Sequence, residues 1–219
     1  MSSTVKKSLI FTGILLVVFT IYTICVLRVD VAPIGVENTD IGFSTINGAF
    51  KEAIGLNSVF YNISKYLGYL SFALVGLFAI LALAQMITRK GILKADKDLY
   101  ILGVFYIFVI ICYVFFEMVV VNYRPWDLGE GLEASYPSSH TMLAICVFST
   151  GAFQLKSRIK DEKIRKICVA VCVLVMALII VCRTLSGVHW FTDILGGILL
   201  SAFLVSEYVS MMLMYKDKI

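Results

Sequence analysis

Only two histidines occur in this 219-residue chain, and each sits in a short polar segment between apolar stretches. His140 ends the run Tyr136-Pro137-Ser138-Ser139-His140, and His189 lies between Arg183 and Asp193 in Arg183-Thr184-Leu185-Ser186-Gly187-Val188-His189-Trp190-Phe191-Thr192-Asp193. A third polar segment, Asn122-Tyr123-Arg124-Pro125, contributes another arginine. Imidazole is the side chain whose ordinary pKa lies near neutrality, so it serves as acid, base or nucleophile. Guanidinium offers a planar fork of N–H donors that matches phosphate oxygens in charge and geometry. Two of each, at the edges of apolar stretches, point to nucleophilic or acid–base chemistry on an anion.

Local spacing refines these roles. Pro137-Ser138-Ser139-His140 reads as a helix start, with proline in the first turn and serine as cap. Backbone N–H groups at such a start form an anion site, to which Ser138 and Ser139 contribute. His189 and Asp193 are spaced i, i+4, which predicts one shared helix face and a carboxylate that fixes the imidazole tautomer. A carboxylate one turn inside an apolar helix is costly unless paired or functional.

The elements that carry these segments are membrane helices. Sixty per cent of residues are hydrophobic and 16% charged, against about 45–50% and about 25% in soluble domains. Apolar runs near the roughly 20 residues needed to cross a bilayer occupy 9–27, 67–87, 99–121, 138–155, 167–185 and 189–212. The fourth is the shortest and starts with polar residues. The expected fold is therefore all-α, a bundle of six transmembrane helices forming one membrane domain over 1–219. Lys6 and Lys7 before the first run resemble a signal peptide, but the run is long and no small-residue cleavage pattern follows, so a retained helix is expected.

Charge placement orients the bundle. With both termini cytoplasmic, fourteen of the 19 Lys and Arg fall on the cytoplasmic side, including the 156–166 loop, Lys216 and Lys218. The polar segments holding Arg124, His140 and His189 then share the opposite, extracytoplasmic rim. The basic loop is read as a topology signal, and no nucleic-acid partner is expected. All six cysteines lie in or beside apolar runs and read as packing residues. The 28–66 connection ends in a mixed apolar and charged stretch around Phe50, Ile54, Phe60 and Ile63. It predicts a short interfacial helix, with a simple extension of the second span as the alternative for 58–66.

Arg124-Pro125, Pro137-Ser138-x-His140 and Arg183-x5-His189-x3-Asp193 together resemble the three-part signature of the type 2 phosphatidic acid phosphatase family, over residues 117–193. The resemblance implies that His189 attacks phosphorus and becomes a phosphohistidine, with Asp193 orienting it. It implies that His140 protonates the leaving oxygen and later activates water. Arg124, Arg183, Ser138 and Ser139 would hold the phosphoryl oxygens, with no metal and no cofactor. Three positions depart from the family pattern: Glu117 replaces a lysine, Ser139 a glycine, and Cys182 a serine. The i, i+7 spacing of Glu117 and Arg124 suggests that Glu117 orients Arg124 or Arg183 by ion pairing.

The expected function is metal-independent hydrolysis of a membrane lipid phosphate or diphosphate at the extracytoplasmic face. Undecaprenyl diphosphate and phosphatidylglycerophosphate are candidate substrates, in a bacterial protein. The alternatives are a lipid phosphotransferase using the same residues, or a catalytically silent lipid-binding membrane protein.

Overall fold

The computed structural model describes residues 1–129 and 131–217; Lys218, counted above among the cytoplasmic cations, lies outside the described residues. The chain forms seven α-helices among these residues: α1 (Ser3–Arg28), α2 (Ser44–Ile54), α3 (Ser58–Thr88), α4 (Lys97–Met118), α5 (Ser139–Arg158), α6 (Glu162–Leu185) and α7 (Phe191–Lys216). Two of the helix starts are capped by the residue before them: the Asn57 side chain accepts from the Val59 and Phe60 N–H groups, and Asp161 from that of Ile164. Each cap satisfies donors that the helix itself cannot.

Helices α1, α3, α4, α6 and α7 are long and apolar enough to cross a membrane. Their outer faces expose Ile14, Phe72, Ile80, Ile107, Phe115 and Leu174, among others, an arrangement suited to lipid and not to water. The protein is an all-α, multi-pass integral membrane protein. Helix α5 falls short of the others in apolarity because of where it sits. It packs against α3, α6 and α7 at once, so its neighbours are helices. Thr141, Thr150 and Gln154 are buried among them with hydrogen-bond partners.

Close helix contact depends on small residues. On α7, a methyl at Gly196 would land on the Tyr136 ring, and one at Gly197 would press on the Ser138 carbonyl and Thr141. The pair lets α7 meet the start of α5 directly, as small residues do between membrane helices. Helix α1 lies along α7 and is tied to it by hydroxyls: Ser8 bonds Ser210 at 2.7 Å, and Thr12 bonds Ser206 at 2.7 Å.

The 28–66 connection holds a short helix followed by an extension of the second span. Helix α2 ends at Ile54, and α3 begins at Ser58, with Gly55 between them at φ 62. Residues 58–66 are thus the first turns of a long spanning helix, the simpler of the two readings. Helix α2 docks on the start of α7. The Asn47 amide donates to the Gly42 carbonyl and to Thr192 Oγ1, while its own oxygen accepts from the Thr192 N–H.

At the other end of the bundle, Arg158 ties α5 to α4. Its guanidinium reaches Asp96 at 3.0 Å and Asp98 at 2.7 Å, while Arg89 pairs with Asp96 at 2.8 Å. Hydrogen bonds from Arg89, Gln85 and Arg158 hold the Asp96 carboxyl down to about 2. A carboxyl depressed in the folded state stabilises fully above the ordinary value near 4, and that stabilisation is lost as pH falls through about 2. Arg158→Gln should lower stability by about 1–2 kcal/mol. Detergent-solubilised protein should show this as a lower melting midpoint at pH 7, with the gap from wild type closing toward pH 2.

Candidate active site

The polar segments meet at the end of the bundle opposite Arg158. The first is not a helix end alone. Helix α4 stops at Met118, and the chain then pairs with itself as a short antiparallel ribbon: the Arg124 N–H donates to the Glu133 carbonyl at 3.0 Å, and the Ser135 N–H to the Asn122 carbonyl at 2.9 Å. The ribbon presents Asn122, Arg124, Glu133 and Ser135 together. Arg124 Nε lies 2.9 Å from a Glu133 carboxylate oxygen.

The second is the loop from Ser186 to Trp190. Gly187 has φ 69, and a methyl there would land on the Gly55 carbonyl oxygen, so both backbone conformation and close approach require glycine. This contact seats the loop against the α2–α3 junction. Trp190, fully buried, donates its indole N–H to the Tyr123 carbonyl at 2.7 Å. The loop is thereby pinned to the ribbon, with His189 held 3% exposed between them.

Asp193, in the first turn of α7, has no exposed surface. Its carboxylate accepts from Asn122 Nδ2 at 3.0 Å, from the Trp190 N–H at 3.0 Å, and from Ser135 Oγ at 2.5 Å. Three donors from two segments thus compensate the burial of the charge. The geometry corrects the expected shared helix face. His189 precedes α7, and its Nδ1 is 3.8 Å from the nearer Asp193 oxygen, too far for a hydrogen bond. Ser135 Oγ bridges the gap, 2.9 Å from Nδ1. Burial, followed by the charges of Arg183 and Arg124, holds His189 well below the ordinary imidazole range, so its ring is neutral near pH 7.

The third element is the start of α5. Ser138 takes the cap position, but its side chain does not cap: its Oγ accepts from Thr141 Oγ1, while its N–H donates to the Asp193 carbonyl at 3.0 Å. Ser139 and His140 follow in the first turn. His140 lies against Gly68 of α3. With Ser139, Arg124, Glu117 and Tyr123, it lines a cavity of about 470 Å³. Arg183, 1% exposed in the last turn of α6, has its guanidinium carbon 5.3 Å from the Tyr61 ring centroid.

Glu117 is exposed on α4 and forms no ion pair with an arginine among the described residues. The partner of Arg124 is Glu133. The i, i+7 spacing misleads because the helix ends one residue after Glu117, so Arg124 belongs to the ribbon and not to the same helical face. Among the described residues, no group of three or more His, Cys, Asp or Glu is placed to hold a metal ion.

Among the described residues, several buried nitrogens have no hydrogen-bond partner, including Arg124 Nη1, Arg183 Nε and Nη1, His140 Nδ1 and His189 Nε2. Buried donors are normally paired. Apart from the Trp126 indole nitrogen, the unpaired nitrogens belong to the four cationic or imidazole side chains singled out by sequence. Such a set can receive an oxyanion, and His189 Nε2 can attack it. The family model described as PAP2 superfamily matches residues 99–217, more than half of the chain. The chain belongs to the PAP2 superfamily. Membership places it among the membrane phosphatases, and the resemblance read from the three segments stands.

The PAP2 fold extends beyond the matched region. The chain superposes on the crystal structure of a transmembrane PAP2 type phosphatidylglycerolphosphate phosphatase from Bacillus subtilis with a TM-score of 0.66, at 22% identity, over 95% of this chain and 96% of that one. No curated protein matches the chain.

Sequence reading missed Ser135, Asn122, Glu133 and Trp190. Ser135 sits two residues before Pro137, and Asn122 and Trp190 lie inside recognised segments, so their neighbourhood was a signal; Glu133 carries no local one. For this PAP2 protein, Glu133→Gln should raise KM for a lipid phosphate about 3- to 10-fold by loosening Arg124, on the scale of about 1 kcal/mol for a partly exposed pair. Glu117→Gln should change kcat/KM less than about 2-fold. Gly187→Ala should cost roughly 2–3 kcal/mol of stability through backbone strain and displacement, read as a lower melting midpoint with loss of turnover.

Proposed function

We propose that this PAP2 protein hydrolyses the phosphate ester or diphosphate of a membrane lipid through a phosphohistidine on His189. The observation that carries this reading is the set of buried, unpartnered nitrogens on Arg124, Arg183, His140 and His189. The arginine donors and the first-turn N–H groups of α5 hold the phosphoryl oxygens as charge redistributes in the transition state. The Nε2 lone pair of His189 forms the N–P bond while the P–O bond to the lipid breaks, and His140 gives its proton to the departing oxygen. Water then attacks phosphorus, His140 takes the water proton, and the N–P bond breaks to release phosphate.

A lipid substrate is favoured by what lies beside His140. Between α3, α4 and α5 runs an apolar groove of about 380 Å³, lined by Tyr69, Phe72, Ile110 and Leu143, with Lys65 also on its wall. Ser139, His140 and Tyr113 line both this groove and the polar cavity. An acyl or polyprenyl chain in the groove would deliver its phosphate to the histidines. The Bacillus relative acts on phosphatidylglycerolphosphate by its description, which puts that lipid beside undecaprenyl diphosphate among the substrates to test.

The same reading makes 1–219 one membrane domain with six crossings. The Ser2 N–H donates to the Asp217 carboxylate at 2.8 Å, which supports both termini lying at one end of the bundle. An even number of crossings requires α5 as the sixth; at 20 residues it is roughly 30 Å long, enough for the hydrocarbon core. The lysine-rich end is then cytoplasmic and the histidines face the extracytoplasmic side.

Purified protein in detergent should release phosphate from phosphatidylglycerophosphate or undecaprenyl diphosphate in the presence of a chelator. His189→Ala should reduce turnover by at least about 1,000-fold, given what removing a nucleophile costs. Strict dependence on an added divalent ion would defeat the proposed chemistry.

A further inference from the structure

The link between His189 and Asp193 runs through a third side chain, and the protons available decide its direction. Ser135 Oγ is 2.5 Å from Asp193 Oδ2 and 2.9 Å from His189 Nδ1. A serine hydroxyl has one hydrogen to donate and lone pairs to accept with. Two oxygens within hydrogen-bond distance share a proton, and an ionised carboxylate has none to give. The serine hydrogen therefore points at Asp193. Only lone pairs then face the imidazole, so Nδ1 must carry the ring hydrogen. The neutral ring is left with its lone pair on Nε2, the atom without a protein partner.

We propose that Ser135 is a positioning residue that selects the reactive tautomer of His189. The inference rests on the reading of His189 as nucleophile. No proton passes through Ser135 during phosphoryl transfer. The Nε2–P bond forms, the ester P–O bond breaks, the leaving oxygen takes its proton from His140, and Nδ1–H remains bonded to the serine. The ring becomes cationic in that step, and the polarised Ser135–Asp193 pair stabilises it. The hydroxyl is placed for this work by the ribbon: the Ser135 N–H donates to the Asn122 carbonyl, while the Asn122 amide donates to the other Asp193 oxygen. Ser135 is 2% exposed, which shields this arrangement from water.

Ser135→Ala removes one oxygen without adding bulk. It should lower kcat on the order of 10- to 100-fold, as loss of an orienting partner commonly does. KM and inhibition by inorganic phosphate should stay within about 2-fold, since neither depends on which ring nitrogen carries hydrogen. A second readout is direct. Because the chain has 2 histidines, His140→Gln leaves His189 as the one imidazole in a nitrogen-15 spectrum. That spectrum should show protonated Nδ1 and bare Nε2 with Ser135 present, and gain the opposite tautomer on Ser135→Ala. Wild-type kcat in Ser135→Ala, or an unchanged tautomer, overturns the proposal. A loss of turnover matched by an equal loss of phosphate inhibition also overturns it, because it marks a merely structural role. Retained turnover in His189→Ala would instead defeat the underlying nucleophile reading.

Discussion

A carboxylate with no exposed surface, placed in the first turn of an apolar helix, must find donors or lose its charge. Asp193 finds three, and the demand organises everything around it. The Trp190 N–H comes from its own helix entrance, and Asn122 and Ser135 come from both strands of the ribbon. The Asp193 backbone is engaged as well, its carbonyl accepting from Ser138 at the start of α5. One residue thus brings together α7, α5 and the α4–α5 connection. In a low-dielectric setting an unmatched donor or acceptor costs far more than in water. The position of each segment is therefore tied to that of the others, and His189 is held where they meet.

The bundle supplies the rigid frame for that junction. Gly196 and Gly197 let α7 approach Tyr136 and the first turn of α5, while α2 clasps the start of α7 through Asn47 and Thr192. Apolar side chains face outward on α1, α3, α4 and α6, and the polar residues are drawn inward onto α5 and the site. This inversion follows from lipid as solvent, where polar atoms must be satisfied inside the protein.

Sequence made the helices and the chemistry-bearing segments legible for different reasons. A hydrophobic run of spanning length needs no tertiary context, and all six runs became helices, with ends shifted by up to nine residues at Ser58. Arg124, His140, Arg183, His189 and Asp193 stood out because ionisable residues beside such runs are rare and costly. Contacts made by non-local backbone pairing were not legible. Glu133 and Ser135 reach the site only because the chain folds back on 122–124, and nothing in local spacing announces that ribbon. The expected Glu117–Arg124 pair failed for a related reason: helical periodicity was carried past Met118, where the helix ends. The i, i+4 spacing of His189 and Asp193 likewise assumed a helix that starts only at Phe191.

The ribbon also divides the molecule's durability in two. It is held by hydrogen bonds, its own backbone pairs, the Trp190 indole and the Asn122 and Ser135 bonds to Asp193, while the helices are held by extensive side-chain packing. Segments with few buried apolar contacts open at lower free energy than the body they decorate. Heating would then peel the ribbon from Asp193 while the bundle remains helical, separating loss of catalysis from loss of fold. Thermal inactivation and helix melting should then separate into two transitions, with the working limit set by the smaller element.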